Sequence, residues 1–131
     1  RWDGGKWEEW LAAPDIVNPN ALLAFEVSLY IGNNGTGRLL AADFESGAIS
    51  EVACLGRGNI DGIKPAGDGS LLVSHWEGEL FRVAPGGAVE KLFDTRAVRR
   101  YCADFDYLQG EKLLIVPAFF SNRVDSYRLG R

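Results

Sequence analysis

At 131 residues, with 47% of them apolar and a formal net charge of -4, the chain has the size and composition of one packed domain. Its Lys and Arg are dispersed on an acidic background, which argues against a nucleic-acid partner, since phosphate binding needs clustered positive charge. No apolar run approaches the roughly 20 residues of a membrane helix, so no membrane partner is expected and the chain reads as soluble, in cytoplasm or periplasm alike.

Taken in order, the sequence opens on a hairpin pattern, with Asp3-Gly4-Gly5 as the turn and 6–11 as an alternating outer strand in which Trp7 and Trp10 pack against a neighbour. Pro14 and Pro19 then suit an irregular crossing to the next unit. Strands are expected near 20–25, 28–33, 37–43 and 48–54, then near 61–65, 70–75, 79–84 and 88–93, and finally near 103–107, 112–117 and 123–129. The run Gly32-Asn33-Asn34-Gly35-Thr36-Gly37 falls between two of these strands, where a hairpin explains it better than a phosphate-cradling loop. Arg96, Arg99 and Arg100 read as a solvated loop. Cys54 closes an outer strand and Cys102 opens an inner one, so two buried free thiols are expected rather than a disulfide.

These strands repeat. Asn20 to Asp61 is 41 residues, Asp61 to Asp104 is 43, Ile31 to Val73 is 42 and Val73 to Val116 is 43. A period of about 40 residues built from four short strands is the spacing of a β-propeller blade. The reading is therefore one domain, 1–131, of three blades near 20–54, 61–93 and 103–129, with 6–11 as the outer strand of a preceding blade. Such an arc is half of a six-bladed ring. Left open it exposes strand edges and an apolar blade face, so closure is expected, either by a second copy in a homodimer, with 6–11 of each copy beside 123–129 of the other, or by a complementary half-propeller.

In a propeller the residues opening each first strand line the mouth of the central channel, which would bring Asn20, Asp61 and Asp104 together from distant sequence positions. An amide oxygen and one or two carboxylates suit a hard divalent cation, calcium first, with water in the other positions. Asp61 is the candidate catalytic residue and, with Asn20, the candidate metal ligand. The competing reading is that both cap turns, a common use of these residue types. Asn18, Asn59 and Asp104 are candidates for substrate contact or for supporting the ligands. His75, the single histidine, belongs with them as part of a blade edge or pocket rim. A lone histidine leaves no multi-histidine metal centre and no ready triad.

The run Asn18-Pro19-Asn20-Ala21-Leu22-Leu23, with Asp61-Gly62-Ile63, Gly69-Ser70-Leu71-Leu72-Val73-Ser74 and the ending Ala103-Asp104-Phe105-Asp106-Tyr107, resembles the sugar-lactonase family of regucalcin and gluconolactonase, in its C-terminal half. The resemblance implies a six-bladed propeller holding one divalent cation in its tunnel and hydrolysing lactones. By that likeness Asn20 matches the asparagine ligand of the family's Asn-Gly-Leu motif, although Ala21 follows it here, and Asp61 matches the aspartate ligand of its Asp-Gly motif. The implied partner is a small-molecule lactone. A non-catalytic binding propeller, or an inactive piece of a larger lactonase, is the alternative.

Overall fold

The computed structural model describes Trp2 and residues 4–130. These residues hold eleven strands, β1 (Pro19–Phe25), β2 (Ser28–Asn33), β3 (Arg38–Asp43), β4 (Ile49–Cys54), β5 (Ile60–Pro65), β6 (Leu71–His75), β7 (Glu79–Val83), β8 (Val89–Asp94), β9 (Asp106–Leu108), β10 (Leu113–Ala118) and β11 (Arg123–Arg128), and two single 3-10 turns at Arg96–Val98 and Gln109–Glu111. They form two four-stranded antiparallel meanders, β1-β2-β3-β4 and β5-β6-β7-β8, and a three-stranded sheet in the order β11-β10-β9. Short connections produce this order, because strands joined by tight turns pair with their sequence neighbours. The all-β, blade-by-blade architecture expected from the repeat is thus what the chain adopts.

Each central strand is apolar on both sides because it is covered on both sides. Ala21, Leu39, Ile60, Ile63, Leu71 and Val73 form the core between blades one and two. Leu72, Leu80, Cys102, Phe105, Leu114 and Val116 do the same between blades two and three. Two glycines allow the blades to approach. A Cβ on Gly32 would stand 2.3 Å from Ile60 Cγ2, and one on Gly62 would stand 2.8 Å from both Asp104 Oδ1 and Phe105 Cδ1. Ser74 links blades two and three: its hydroxyl accepts the Gly62 N–H at 2.9 Å and donates to the Ala103 carbonyl at 3.0 Å.

Three expectations change. Residues 6–11 form no ladder among the described residues, where the segment's bridge is Trp2 to Trp7. A strand persists only along an edge that can pair with it, and here Trp10 and Leu11 instead pack onto the Ile31, Leu40 and Ala42 face of blade one, leaving Trp7 80% exposed. Asp3, part of the expected turn, lies outside the described residues. In blade three the first strand begins at Asp106, three residues later than expected, because Ala103 and Asp104 are engaged by the Ser74 hydroxyl and the Phe105 N–H. Cys102 is buried as expected, but Cys54 is exposed.

Candidate functional site

Asn20 and Asp61 share a backbone setting. In blade one Pro19 pairs with Asn33 and Ala21 with Gly32, which leaves Asn20 as the extra residue of a bulge. In blade two Ile60 pairs with His75 and Gly62 with Ser74, which makes Asp61 the extra residue at the equivalent place. A β-bulge takes one residue out of the ladder and re-aims its side chain. The two side chains meet across the blade interface, where Asn20 Nδ2 donates to Asp61 Oδ1 at 2.5 Å and, more weakly, to the Ile60 carbonyl at 3.4 Å.

Around this pair lies a cleft of about 340 Å³ lined by Asn20, Asn34, Asn59, Asp61 and Trp76. Asn59 is a brace. Its Oδ1 accepts the Gly35 N–H at 3.0 Å, its Nδ2 donates to Glu77 Oε1 at 2.6 Å, and its own N–H donates to Glu77 Oε2 at 3.1 Å. Asn34 Oδ1, buried in the same cleft, accepts no hydrogen bond from the described residues. Asn18 turns the chain into β1 at a positive φ of 46°, and its carbonyl accepts the Asn34 N–H at 3.1 Å.

The electrostatics of the cleft are acidic. Burial raises the pKa of Asp61 above the usual carboxylate range, the Asn20 hydrogen bond opposes that rise, and the nearby charges of Asp104 and Glu77 add to it. Asp104 is largely exposed, with Lys64 Nζ 3.6 Å away, and it acts on Asp61 in two opposed ways, its charge raising the pKa and its backbone hydrogen bond lowering it. Burial, aided by the Asp61 charge, pushes the Cys102 thiol up to about 12, which leaves it unreactive at neutral pH.

His75 lies away from the rim where the sequence placed it. It is 1% exposed, edge-on to Phe81 at 4.9 Å and 3.4 Å from Glu79 Oε2. Burial lowers its pKa. Asn33, its counterpart one repeat earlier, is also buried and ties 15–17 to blade one by accepting the Val17 N–H and donating to the Asp15 carbonyl. The structure therefore unites Asn20, Asp61 and Asn59, sets Asp104 and Asn18 at the margin, and puts His75 in the core.

Two cleft residues escaped the sequence reading, Asn34 and Trp76, and so did Glu77, which holds Asn59 from behind. A signal was present in the repeat, because Asn34 and Trp76 each follow a central strand, lie 42 residues apart, and donate their N–H to equivalent carbonyls, those of Asn18 and Asn59.

No family model matches the chain, and no curated protein sequence matches it. Solved structures do. The chain is similar to streptogramin B lyase, at 13% identity and a TM-score of 0.64 over 89% of this chain and 42% of that one. It is similar also to a catalytically inactive variant of virginiamycin B lyase from Staphylococcus aureus with quinupristin, at 11% identity and 0.68 over 95% and 46%. The fold is a β-propeller. A third likeness is to the computationally designed Ika4 protein, at 12% identity and 0.62 over 86% and 66%. The chain thus spans less than half the length of either lyase. At such identities the likeness establishes the architecture, while the resemblance to regucalcin and gluconolactonase stays on the sequence motifs.

Proposed function

We propose that this chain forms half of a propeller hydrolase whose cleft holds a divalent cation, calcium before others, between Asn20 and Asp61, and which opens lactones once its ring is completed by a second copy or a companion half. The observation that carries the reading is the pair of equivalent bulges that turn an amide and a carboxylate out of two ladders into one acidic cleft. A bulge in the same place in two blades is hard to attribute to turn capping alone, because a cap needs no displacement of the ladder.

The donor set fits a hard cation. Asp61 offers a carboxylate whose ionisation burial disfavours, Asn34 offers an amide oxygen that accepts no bond from the described residues, and Asn20 would offer its own once its Nδ2 released Asp61 Oδ1. Among the described residues no cluster of three His, Cys, Asp or Glu surrounds a point, so water would complete the coordination. A bound cation would supply carbonyl polarisation and a more acidic water. Asp61 would take the proton from the attacking water. Oxygen adds to the carbonyl carbon, the acyl–oxygen bond breaks, and the proton passes to the departing alkoxide to leave a hydroxy acid.

The test is acid release from a panel of lactones with calcium and with a chelator, for the wild type and for Asp61→Ala. Loss of turnover on chelation and on substitution supports the reading. Turnover indifferent to both removes the cation and Asp61 from the reaction, and a folded protein that takes up no calcium and turns over nothing leaves a binding propeller in its place.

A further inference from the structure

Beside the acidic cleft stands a group of aromatic rings that the chemistry above does not use. Trp76 lies 5.1 Å from Tyr101 and 6.0 Å from both Phe119 and Phe120, centroid to centroid, and Phe119 and Phe120 lie 4.8 Å apart. Phe119 is 57% exposed and Phe120 68% exposed, so the cluster is no part of the core. Trp76 belongs to it and also to the wall of the Asn20–Asp61 cleft.

The position is built. The Trp76 N–H donates to the Asn59 carbonyl at 2.8 Å, and its own carbonyl accepts the Cys102 N–H at 3.1 Å, which fixes its backbone between blades two and three. Two residues on, Gly78 takes a positive φ of 119° and sits where a Cβ would stand 2.4 Å from the Arg100 carbonyl, a closeness that brings Tyr101 against the indole. Phe119 is the counterpart of Trp76 one repeat later, 43 residues on, whereas blade one carries Asn34 there. The polar groups Asn20, Asn34, Asn59 and Asp61 therefore lie on blades one and two, and the aromatic rings begin at Trp76 on the cleft wall and extend toward blade three.

We propose that Trp76, Tyr101, Phe119 and Phe120 bind the apolar part of a small ligand whose polar end reaches Asn20 and Asp61. The substrate class is then an alkyl- or aryl-bearing lactone and not a polyhydroxylated sugar lactone. Small-molecule sites bind by an apolar wall with a few polar groups that fix orientation. Sugar stacking wants an open ring face flanked by hydrogen-bonding groups, but the interplanar angles of 64° for Trp76 with each phenylalanine and 79° between the phenylalanines turn the rings edge to face against one another. The inference rests on the cleft being a ligand site and takes from the preceding proposal only the lactone as chemical class.

The test uses the whole chain in calcium-containing buffer with N-phenyl-naphthylamine, an uncharged dye that brightens in apolar surroundings. Saturable dye binding is expected, weakened by roughly tenfold in the F119S/F120S double variant. δ-Dodecalactone should displace the dye and D-glucono-δ-lactone should not. Equal displacement by both lactones overturns the proposal, as does unchanged affinity in the double variant. It falls also if the double variant alters only the mass in solution, since the rings would then join copies of the chain. If no lactone is hydrolysed by the wild type and δ-dodecalactone still competes for the rings, the hydrolytic reading fails and the aromatic wall stands.

Discussion

Asp61 carries its negative charge at a cost, because the fold buries it beside the charges of Asp104 and Glu77 and offers it the Asn20 amide in return. A carboxylate whose folded pKa is raised contributes stability that is present below its unfolded value and is lost as pH rises through the folded value. At neutral pH and without calcium, Asp61→Asn should therefore raise the melting temperature. The same variant should lose the further rise that calcium gives the wild type, since a ligand bound only by the native state stabilises it in proportion to its occupancy. Turnover should fall by about 100-fold or more, the usual consequence of losing a positioned base. Calcium titrations followed by thermal melts separate these effects. A melting temperature lowered by the substitution in calcium-free buffer would contradict the electrostatic account. His75 has the opposite sign. Burial lowers its pKa against the pull of Glu79 and Glu77, with Lys91 adding to the lowering. The unfolded chain therefore takes up the proton first, and stability present above about pH 6.5 should be lost as pH falls toward the folded pKa. Asn33 shows that an asparagine suits the equivalent position, so His75→Asn should flatten that loss, read as the denaturant midpoint at pH 5 against pH 7.

Strands are written in this sequence by alternation and by the glycines that punctuate it, and so β1 to β8 begin and end within a residue or two of expectation. The bulges are not written there. A bulge is a mismatch in hydrogen-bond register between two strands, and Asn20 and Asp61 carry no compositional mark of it; the repeat offset found the residues and the register explains why they turn inward. Trp76 was missed for the converse reason, since its counterparts Asn34 and Phe119 share a position without sharing a chemistry. What makes the Asn20–Asp61 distance possible is the bare backbone of Gly32 beneath Ile60. Gly32→Ala should push blade one from blade two and cost about 1–3 kcal/mol, as overpacking does. Denaturant unfolding measures that cost, and calcium affinity should fall in the same variant because the two bulges move apart.

At the scale of the molecule the two ends of the arc differ. Blade one presents its outer face to the N-terminal segment, where Trp10, Leu11 and Ile16 cover Ile31, Leu40 and Ala42. Blade three has no such cover among the described residues. Its β11 pairs with β10 alone, and Val124 and Leu108 are 66% and 40% exposed. An uncovered edge beside apolar side chains is a surface that soluble proteins pair or hide. If a second copy completes the ring, blade three of one copy should meet the N-terminal segment and blade one of the other, twice, by the two-fold symmetry that joins identical halves. This places 6–11 at the joint, which agrees with its lack of a ladder inside one chain. Sedimentation at micromolar concentration should then report twice the mass of a single chain, and Val124→Glu should return it to one. That substitution falls on an exposed residue and should leave the unfolding free energy of the dilute monomer within about 0.5 kcal/mol of the wild type. A wild-type chain that stays single at high concentration, with its calcium response intact, would show that the cleft works in an open arc and that the exposed edge has some other cover.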